Sequence, residues 1–172
     1  FMPSGIVCLG GFMCSGKTSV GRVLAARLGR DFIDTDLLVE SRAGMTVAEV
    51  FARLGEPRFR LMEREAVLEA LDGEGRVVSL GGGALLDEGS RSEVLGRSFL
   101  VILDASPETV AKRAASGRGS RPLLGDGVRE LMEARAEAYS SCHLRVSTDD
   151  LSVDAVVERI IDSLPGPGQR QG

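Results

Sequence analysis

The sequence predicts an α/β fold built on a parallel sheet, and three observations carry that expectation. Short apolar runs alternate with amphipathic helical stretches along the chain. The first of these runs leads straight into Gly11-Phe12-Met13-Cys14-Ser15-Gly16-Lys17-Thr18, which fits the spacing G-x-x-x-x-G-K-[ST] at every position. A second run, Asp31-Phe32-Ile33-Asp34, ends on a carboxylate, and parallel sheets bind their ligands outside the carboxyl ends of the strands.

Taken in order, Ile6-Val7-Cys8-Leu9 is a continuous apolar run of buried-strand type. After the glycine-bearing loop, residues 19–28 read as a helix, with Val20, Val23, Leu24 and Leu28 on one face. A strand, such a loop and a helix N-terminus together make an anion site. Backbone N–H groups converge on phosphate oxygens, and the helix end adds roughly half a positive charge. Gly11 and Gly16 permit backbone angles and close approach that a Cβ would block. Lys17 reaches phosphate as a point charge, and the Thr18 hydroxyl is a ligand for Mg²⁺. This stretch is a nucleotide phosphate site.

Composition narrows the class. At 172 residues the chain suits one domain with a full core, and 43% hydrophobic with 27% charged residues is ordinary for a soluble globular protein. A net charge of −4 argues against a nucleic-acid or membrane surface, because no excess basic field attracts polyanions. No apolar run approaches the roughly 20 residues of a membrane span, and the start carries no secretory signal. Cys8, Cys14 and Cys142 lack metal-site spacing and form no even set, so they are expected as reduced thiols in a cytoplasm. Cys14 is expected to fill a tolerant position in the phosphate loop.

Thr35 and Asp36 follow the second strand directly, which sets Asp34 and Asp36 beside the mouth of the phosphate loop. One carboxylate there can hold Mg²⁺ through water while the other accepts hydrogen bonds from a hydroxylated substrate. A helix N-cap role is compatible for Asp36, since a helix begins at Leu37-Leu38-Val39. Helices are expected over 46–54 and 57–71, with Pro57 in a first turn. On the second of these, Phe59, Met62, Ala66 and Ala70 form the apolar stripe, and Arg60, Glu63 and Arg64 are neighbours one turn apart.

A third strand over 76–80 enters Gly81-Gly82-Gly83, a run that marks close approach of a ligand or another backbone. Ser79 sits where a hydroxyl can support a magnesium shell. A fourth strand over 98–103 leads to Asp104, a minor candidate for the metal that competes poorly with the Asp34 and Asp36 pair. A helix from Pro107 carries Lys112 and Arg113, and then residues 116–125 turn glycine-rich and basic, with Pro122 among them. Glycines to move and arginines to meet phosphate are what a lid requires. Helix returns over 128–139, a fifth strand over 144–147 and a last helix over 153–164, leaving a disordered tail over 165–172. His143 is the only histidine and has no nucleophile or metal partner in a recognisable setting, which argues against an imidazole-driven hydrolase.

Together these motifs resemble the shikimate kinases over nearly the whole chain, from Ile6 to about Leu164. The residues that carry the resemblance are Gly11 to Thr18, Asp34-Thr35-Asp36, Phe59-Arg60-x-x-Glu63, Gly81-Gly82-Gly83, Arg121-Pro122-Leu123-Leu124, and Arg135 four residues before Tyr139. The phosphate loop alone specifies only a nucleotide site; the series in this order is far more specific.

The resemblance implies a three-layer sandwich around a five-stranded parallel sheet of order 2-3-1-4-5, similar to nucleoside monophosphate kinases. It implies one domain over 2–164, ATP and Mg²⁺ as cofactors, shikimate as the small-molecule substrate, a monomer, and no nucleic-acid or membrane partner. By position, Gly11, Cys14, Ser15, Gly16, Lys17, Thr18 and Ser19 would hold the ATP phosphates, with Thr18 and Asp34 at the metal. Asp34 would also lie near the attacking hydroxyl, and Asp36 would take the shikimate hydroxyls. Arg60, oriented by Glu63, and Arg135 would grip the carboxylate, and Gly82 would present its backbone to the substrate, with Gly81 and Gly83 also in the substrate site. Arg121 would swing in with the lid, and Arg113 would stack near the adenine. Two departures accompany the likeness: the link from Arg121 to Arg135 is several residues shorter than is usual, and Val153 stands where the family often has a proline by the adenine. The rivals are a kinase for another small hydroxy acid such as gluconate, and a non-catalytic nucleotide-binding module.

Overall fold

The computed structural model describes residues 5–12, 15–116 and 127–166. Five strands, β1 (Val7–Gly10), β2 (Asp31–Asp34), β3 (Arg76–Ser79), β4 (Phe99–Asp104) and β5 (Leu144–Ser147), form one sheet. Their order is β2-β3-β1-β4-β5 and every pairing is parallel. The helices are α1 (Lys17–Leu28), α2 (Thr35–Ala43), α3 (Val47–Leu54), α4 (Glu56–Leu71), α5 (Glu88–Arg97), α6 (Pro107–Ser116), α7 (Val128–Arg135) and α8 (Val153–Ser163).

Every residue of β1 is buried, which is why it reads as an unbroken apolar run instead of an alternating one. Alternate side chains enter opposite layers. Val7 and Leu9 join Val77, Val101 and Leu103 against α1 and α8, through Val20, Leu24, Val156 and Ile160. Ile6 and Cys8 join Val78, Leu80, Leu100 and Ile102 against α4, α5 and α6, through Val67, Val94 and Val110. The result is the expected three-layer sandwich. Burial pushes the Cys8 thiol up to about 12, so it behaves as a small apolar side chain. A third cluster, Val39, Val50, Phe59 and Ala66, binds α2, α3 and α4 to one another.

One contact sets how closely α1 lies on β2. A Cβ built on Gly21 would fall 2.5 Å from Cε2 of Phe32, and Arg22 covers the same ring at 5.2 Å. The helix therefore rests directly on the aromatic face of the strand.

Several boundaries differ from expectation. Helix α1 begins at Lys17, two residues early, because Gly16 takes the left-handed conformation (φ 99°) that turns the loop into the helix. Helix α2 begins at Thr35, and its cap is Asp34, whose side chain accepts from the N–H groups of Asp36 and Leu37. Asp36 is thus inside the first turn and is not the cap. Helix α7 ends at Arg135, and turns carry the chain on to Tyr139. Helix α5 has no counterpart in the sequence reading. It buries only Ser90 and Val94, so it has no apolar stripe, and its one local signal is Asp87, which caps it by accepting from Ser90 N–H at 2.8 Å. Nearly all of the glycine-rich segment 116–125, the tail beyond 166, and Met13 and Cys14 lie outside the described residues.

Candidate active site

The carboxyl ends of β1, β2 and β3 open on a common edge, and each contributes one part of the site. From β1 and α1 comes the phosphate loop. Lys17 Nζ donates to the carbonyls of Gly11 at 2.6 Å and Phe12 at 3.1 Å, which folds the ammonium over the loop. Ser15 Oγ is buried in the loop with no hydrogen-bond partner among the described residues. Ser19 is exposed in the first turn of α1. Cys14 and Arg121 lie outside the described residues.

From β2 comes the carboxylate pair. Asp34 Oδ1 accepts from Asp36 N–H at 2.9 Å and Leu37 N–H at 3.2 Å, so capping locks the carboxylate in place. Its other oxygen, Oδ2, faces Thr18 Oγ1 at 3.4 Å. A hydroxyl and a carboxylate oxygen aimed at one point are hard oxygen donors of the kind Mg²⁺ takes, and this ion ordinarily uses one or two protein ligands beside phosphates and waters. No group of three or more His, Cys, Asp or Glu side chains fit to hold a metal occurs among the described residues, in keeping with so sparse a donor set. Ser79 pairs in register with Asp34 on the neighbouring strand.

From β3 comes the glycine turn, and its lack of side chains has a spatial reason at two positions. A Cβ on Gly81 would lie 2.5 Å from Asp36 Oδ1 and 3.1 Å from Glu63 Oε2. One on Gly83 would lie 2.5 Å from Arg60 Nη1. Asp36, Arg60 and Glu63 therefore lie flat against this turn. Thr35, fully buried, accepts the Gly81 N–H through Oγ1 at 3.0 Å. On the far side Gly82 carbonyl accepts from Arg135 Nη1 at 3.2 Å and from the Tyr139 hydroxyl.

Two arginines thus converge from different helices. Arg60 Nη1 donates to Glu63 Oε1 at 2.8 Å. Arg135 is 8% exposed, its guanidinium sits over the Phe12 ring at 5.4 Å, and its Nε has no partner among the described residues. Burial pushes the Glu63 carboxyl upward, Arg60 opposes that shift, and the neighbouring Asp36 charge adds to it. Asp36 lies against Gly81, Arg135 at Gly82 and Arg60 against Gly83, so a carboxylate and two guanidinium groups line one turn.

The structure brings together Lys17, Thr18, Asp34, Asp36, Arg60, Gly81, Gly82, Gly83 and Arg135. Two other residues have partners within the fold. Arg113 donates to Thr148 Oγ1 and to the Thr148 carbonyl, both at 3.2 Å, which anchors α6 to the loop between β5 and α8. Asp104 is paired with Arg145 at 2.8 Å. A cavity of about 420 Å³ between β4, α6 and α7 meets the site only at its Phe12 and Tyr139 walls. Sequence reasoning gave Thr35, Phe12 and Tyr139 no role of their own beyond their places in the motifs. Tyr139 is the only tyrosine in the chain and is buried, a type that hydrogen-bonds when buried, which was the available signal.

A phosphate loop and a two-arginine clamp on one edge of a five-stranded parallel sheet define a P-loop phosphotransferase for a small acidic substrate. The comparisons make that class specific. The shikimate kinase family model matches residues 13–165. The shikimate kinase of Thermus thermophilus is 45% identical over 94% of this chain and 91% of its own. The Acinetobacter baumannii shikimate kinase, solved in complex with shikimate, superposes with a TM-score of 0.85 at 29% identity, covering 94% of this chain and 93% of that one. A gluconokinase from Sinorhizobium meliloti gives a TM-score of 0.59 at 18% identity over 95% of this chain and 93% of its own, which shows a shared fold alone. The chain belongs to the shikimate kinase family.

Proposed function

We infer that this chain is an ATP-dependent kinase that phosphorylates the 3-hydroxyl of shikimate, giving shikimate 3-phosphate and ADP. The observation that carries the reading is the convergence of Arg60 and Arg135 on the glycine turn beside Asp36, facing the phosphate loop of α1. Two guanidinium groups fit one carboxylate, and Asp36 fits the ring hydroxyls of a polyhydroxy acid.

Phosphoryl transfer needs positioning and charge neutralisation more than covalent chemistry from the protein. The loop N–H groups and Lys17 hold the phosphates of ATP, Lys17 exchanging its contacts with the Gly11 and Phe12 carbonyls for phosphate oxygens. Thr18 and Asp34 would hold Mg²⁺, which supplies charge neutralisation on the phosphate oxygens when bound. The substrate oxygen attacks the γ-phosphorus, the bond to the β,γ-bridging oxygen breaks, and ADP leaves. Asp34 orients the hydroxyl and accepts its proton. Arg121 would add charge to the transferring group from the lid.

The same reading takes the chain as one domain over 2–164 acting as a monomer on small molecules, without nucleic acid. No described helix is long and apolar enough to cross a membrane. The test is a coupled ADP-release assay with ATP, Mg²⁺ and shikimate, run beside gluconate. Turnover with shikimate alone is expected. Turnover with gluconate alone, or ATP binding without any turnover, overturns the reading.

A further inference from the structure

Of the polar groups in the glycine turn, four are committed within the fold. Gly81 N–H goes to Thr35 Oγ1, Gly81 carbonyl accepts from Ala84 N–H at 3.0 Å, Gly83 carbonyl accepts from Leu86 N–H at 3.1 Å, and Gly82 carbonyl is shared between Arg135 and Tyr139. A run of three glycines has wide backbone freedom, so nothing intrinsic to Gly81-Gly82-Gly83 fixes the direction of its peptide planes. The only side chains hydrogen-bonded to it among the described residues are Thr35, Arg135 and Tyr139.

Arg135 is also the group that a substrate carboxylate would claim. Once it turns to the substrate, Gly82 carbonyl retains one side-chain donor among the described residues, Tyr139, and an acceptor left bare in a half-buried place is costly. We propose that Tyr139 and Thr35 are positioning residues for shikimate: two buried hydroxyls that pin the glycine wall from its two sides, so that the wall keeps its shape while Arg135 changes partner. This rests on the reading of the site as the shikimate site. Neither residue is assigned contact with the substrate. Tyr139 is 7% exposed and Thr35 fully buried, so each acts through the backbone it holds.

The two hydroxyls do opposite jobs. Thr35 accepts from the wall and Tyr139 donates to it, so the loss of one cannot be made good by the other. The geometry also ties the acceptor site together across the sequence. Thr35 stands between Asp34 and Asp36, whereas Tyr139 follows Arg135 by one turn of chain, so each pin carries a site residue beside it.

The experiment is initial-rate kinetics of the full chain, varying shikimate and ATP separately, for wild type, Tyr139→Phe, Thr35→Val and Thr35→Ser, with thermal melting of each. Wild-type turnover with shikimate comes first, and its absence defeats the functional reading, not this one alone. With turnover present, Tyr139→Phe and Thr35→Val are each expected to raise the shikimate KM about tenfold, with kcat and the ATP KM within about twofold of wild type. Thr35→Ser, which keeps the hydroxyl, is expected to restore most of the shikimate affinity. A shikimate KM unchanged in Tyr139→Phe overturns the role of Tyr139, and equal shikimate KM values for Thr35→Val and wild type overturn that of Thr35. Parallel rises in both KM values with a lowered Tm would show a merely structural role and overturn the proposal. A Thr35→Val protein that does not fold shows a structural role and overturns the positioning role of Thr35, and Tyr139→Phe then decides that of Tyr139.

Discussion

Arg60 and Glu63 sit one turn apart on α4, with Nη1 and Oε1 2.8 Å apart, and the glutamate is buried while the arginine remains about one-third exposed. The anchor lies inside the protein and the charge it aims lies at the site. Such a pair differs from the exposed ion pairs elsewhere on the chain, such as Arg97 with Glu93, which contribute little to stability. Arg60→Ala is expected to raise the shikimate KM by about 100-fold while leaving the ATP KM nearly unchanged, a size typical of removing one partner of a buried charged contact. Steady-state kinetics with each substrate varied in turn check this, and a normal shikimate KM would remove Arg60 from the site.

Glu63 adds a pH signature. Burial raises its carboxyl above the ordinary glutamate range, so acidification neutralises it sooner than an exposed carboxylate. Protonation weakens the grip on Arg60, and kcat/KM for shikimate should fall on the acid side above the usual carboxylate range. Glu63→Gln should show a lower but flatter acid limb. An identical acid limb in wild type and variant would assign that titration elsewhere.

Gly81→Ala tests the wall itself. The added methyl would fall 2.5 Å from Asp36 Oδ1 and 3.1 Å from Glu63 Oε2, so Asp36 must shift. A rise of about tenfold in the shikimate KM with an unchanged ATP KM is expected.

Much of this arrangement was legible in the sequence, for reasons that differ residue by residue. Lys17, Thr18 and Asp34 are encoded locally, because a glycine loop and a strand end fix their surroundings within a few residues. Arg60 and Arg135 are charges on helices, and nothing within α4 or α7 separates them from Arg64, which pairs with Asp87 on the surface at 2.6 Å. Their meeting at the glycine wall is tertiary, and only the order of motifs along the chain pointed to it. The Arg113 partner is tertiary as well, since its guanidinium reaches Thr148 beyond β5. Thr35 stood in plain view between two aspartates, but its partner is Gly81, 46 residues away.

Arg121→Ala is expected to lower kcat by about 10³-fold or more while ATP binding weakens far less, if the arginine meets charge only in the transition state. Single-turnover rates beside ATP dissociation constants separate the two effects. Equal losses in both would contradict the lid role.

His143 predicts a stability effect away from the chemistry. Its Nδ1 accepts the Leu100 N–H at 2.8 Å and its ring stacks on Phe99, so the fold uses the neutral imidazole. Burial lowers its pKa below 6.5, which means the unfolded chain binds the proton more readily. The contribution is complete above pH 6.5 and is lost as pH falls from there towards the lowered folded value. Melting temperatures between pH 7.5 and about pH 5 should therefore fall more steeply for wild type than for His143→Asn, which keeps an acceptor without a titration. Parallel curves would place the acid sensitivity in other groups.

The contact between Gly21 and Phe32 has a consequence for the chemistry one turn away. Helix α1 carries Thr18 and strand β2 carries Asp34, so the spacing between the two proposed metal donors is gauged by how thin the helix is where it meets the strand. Gly21 is the thin place. A methyl there would act as a shim, parting hydroxyl from carboxylate, so one hydrogen atom on the sheet-facing side of a helix calibrates the site where the two substrates meet.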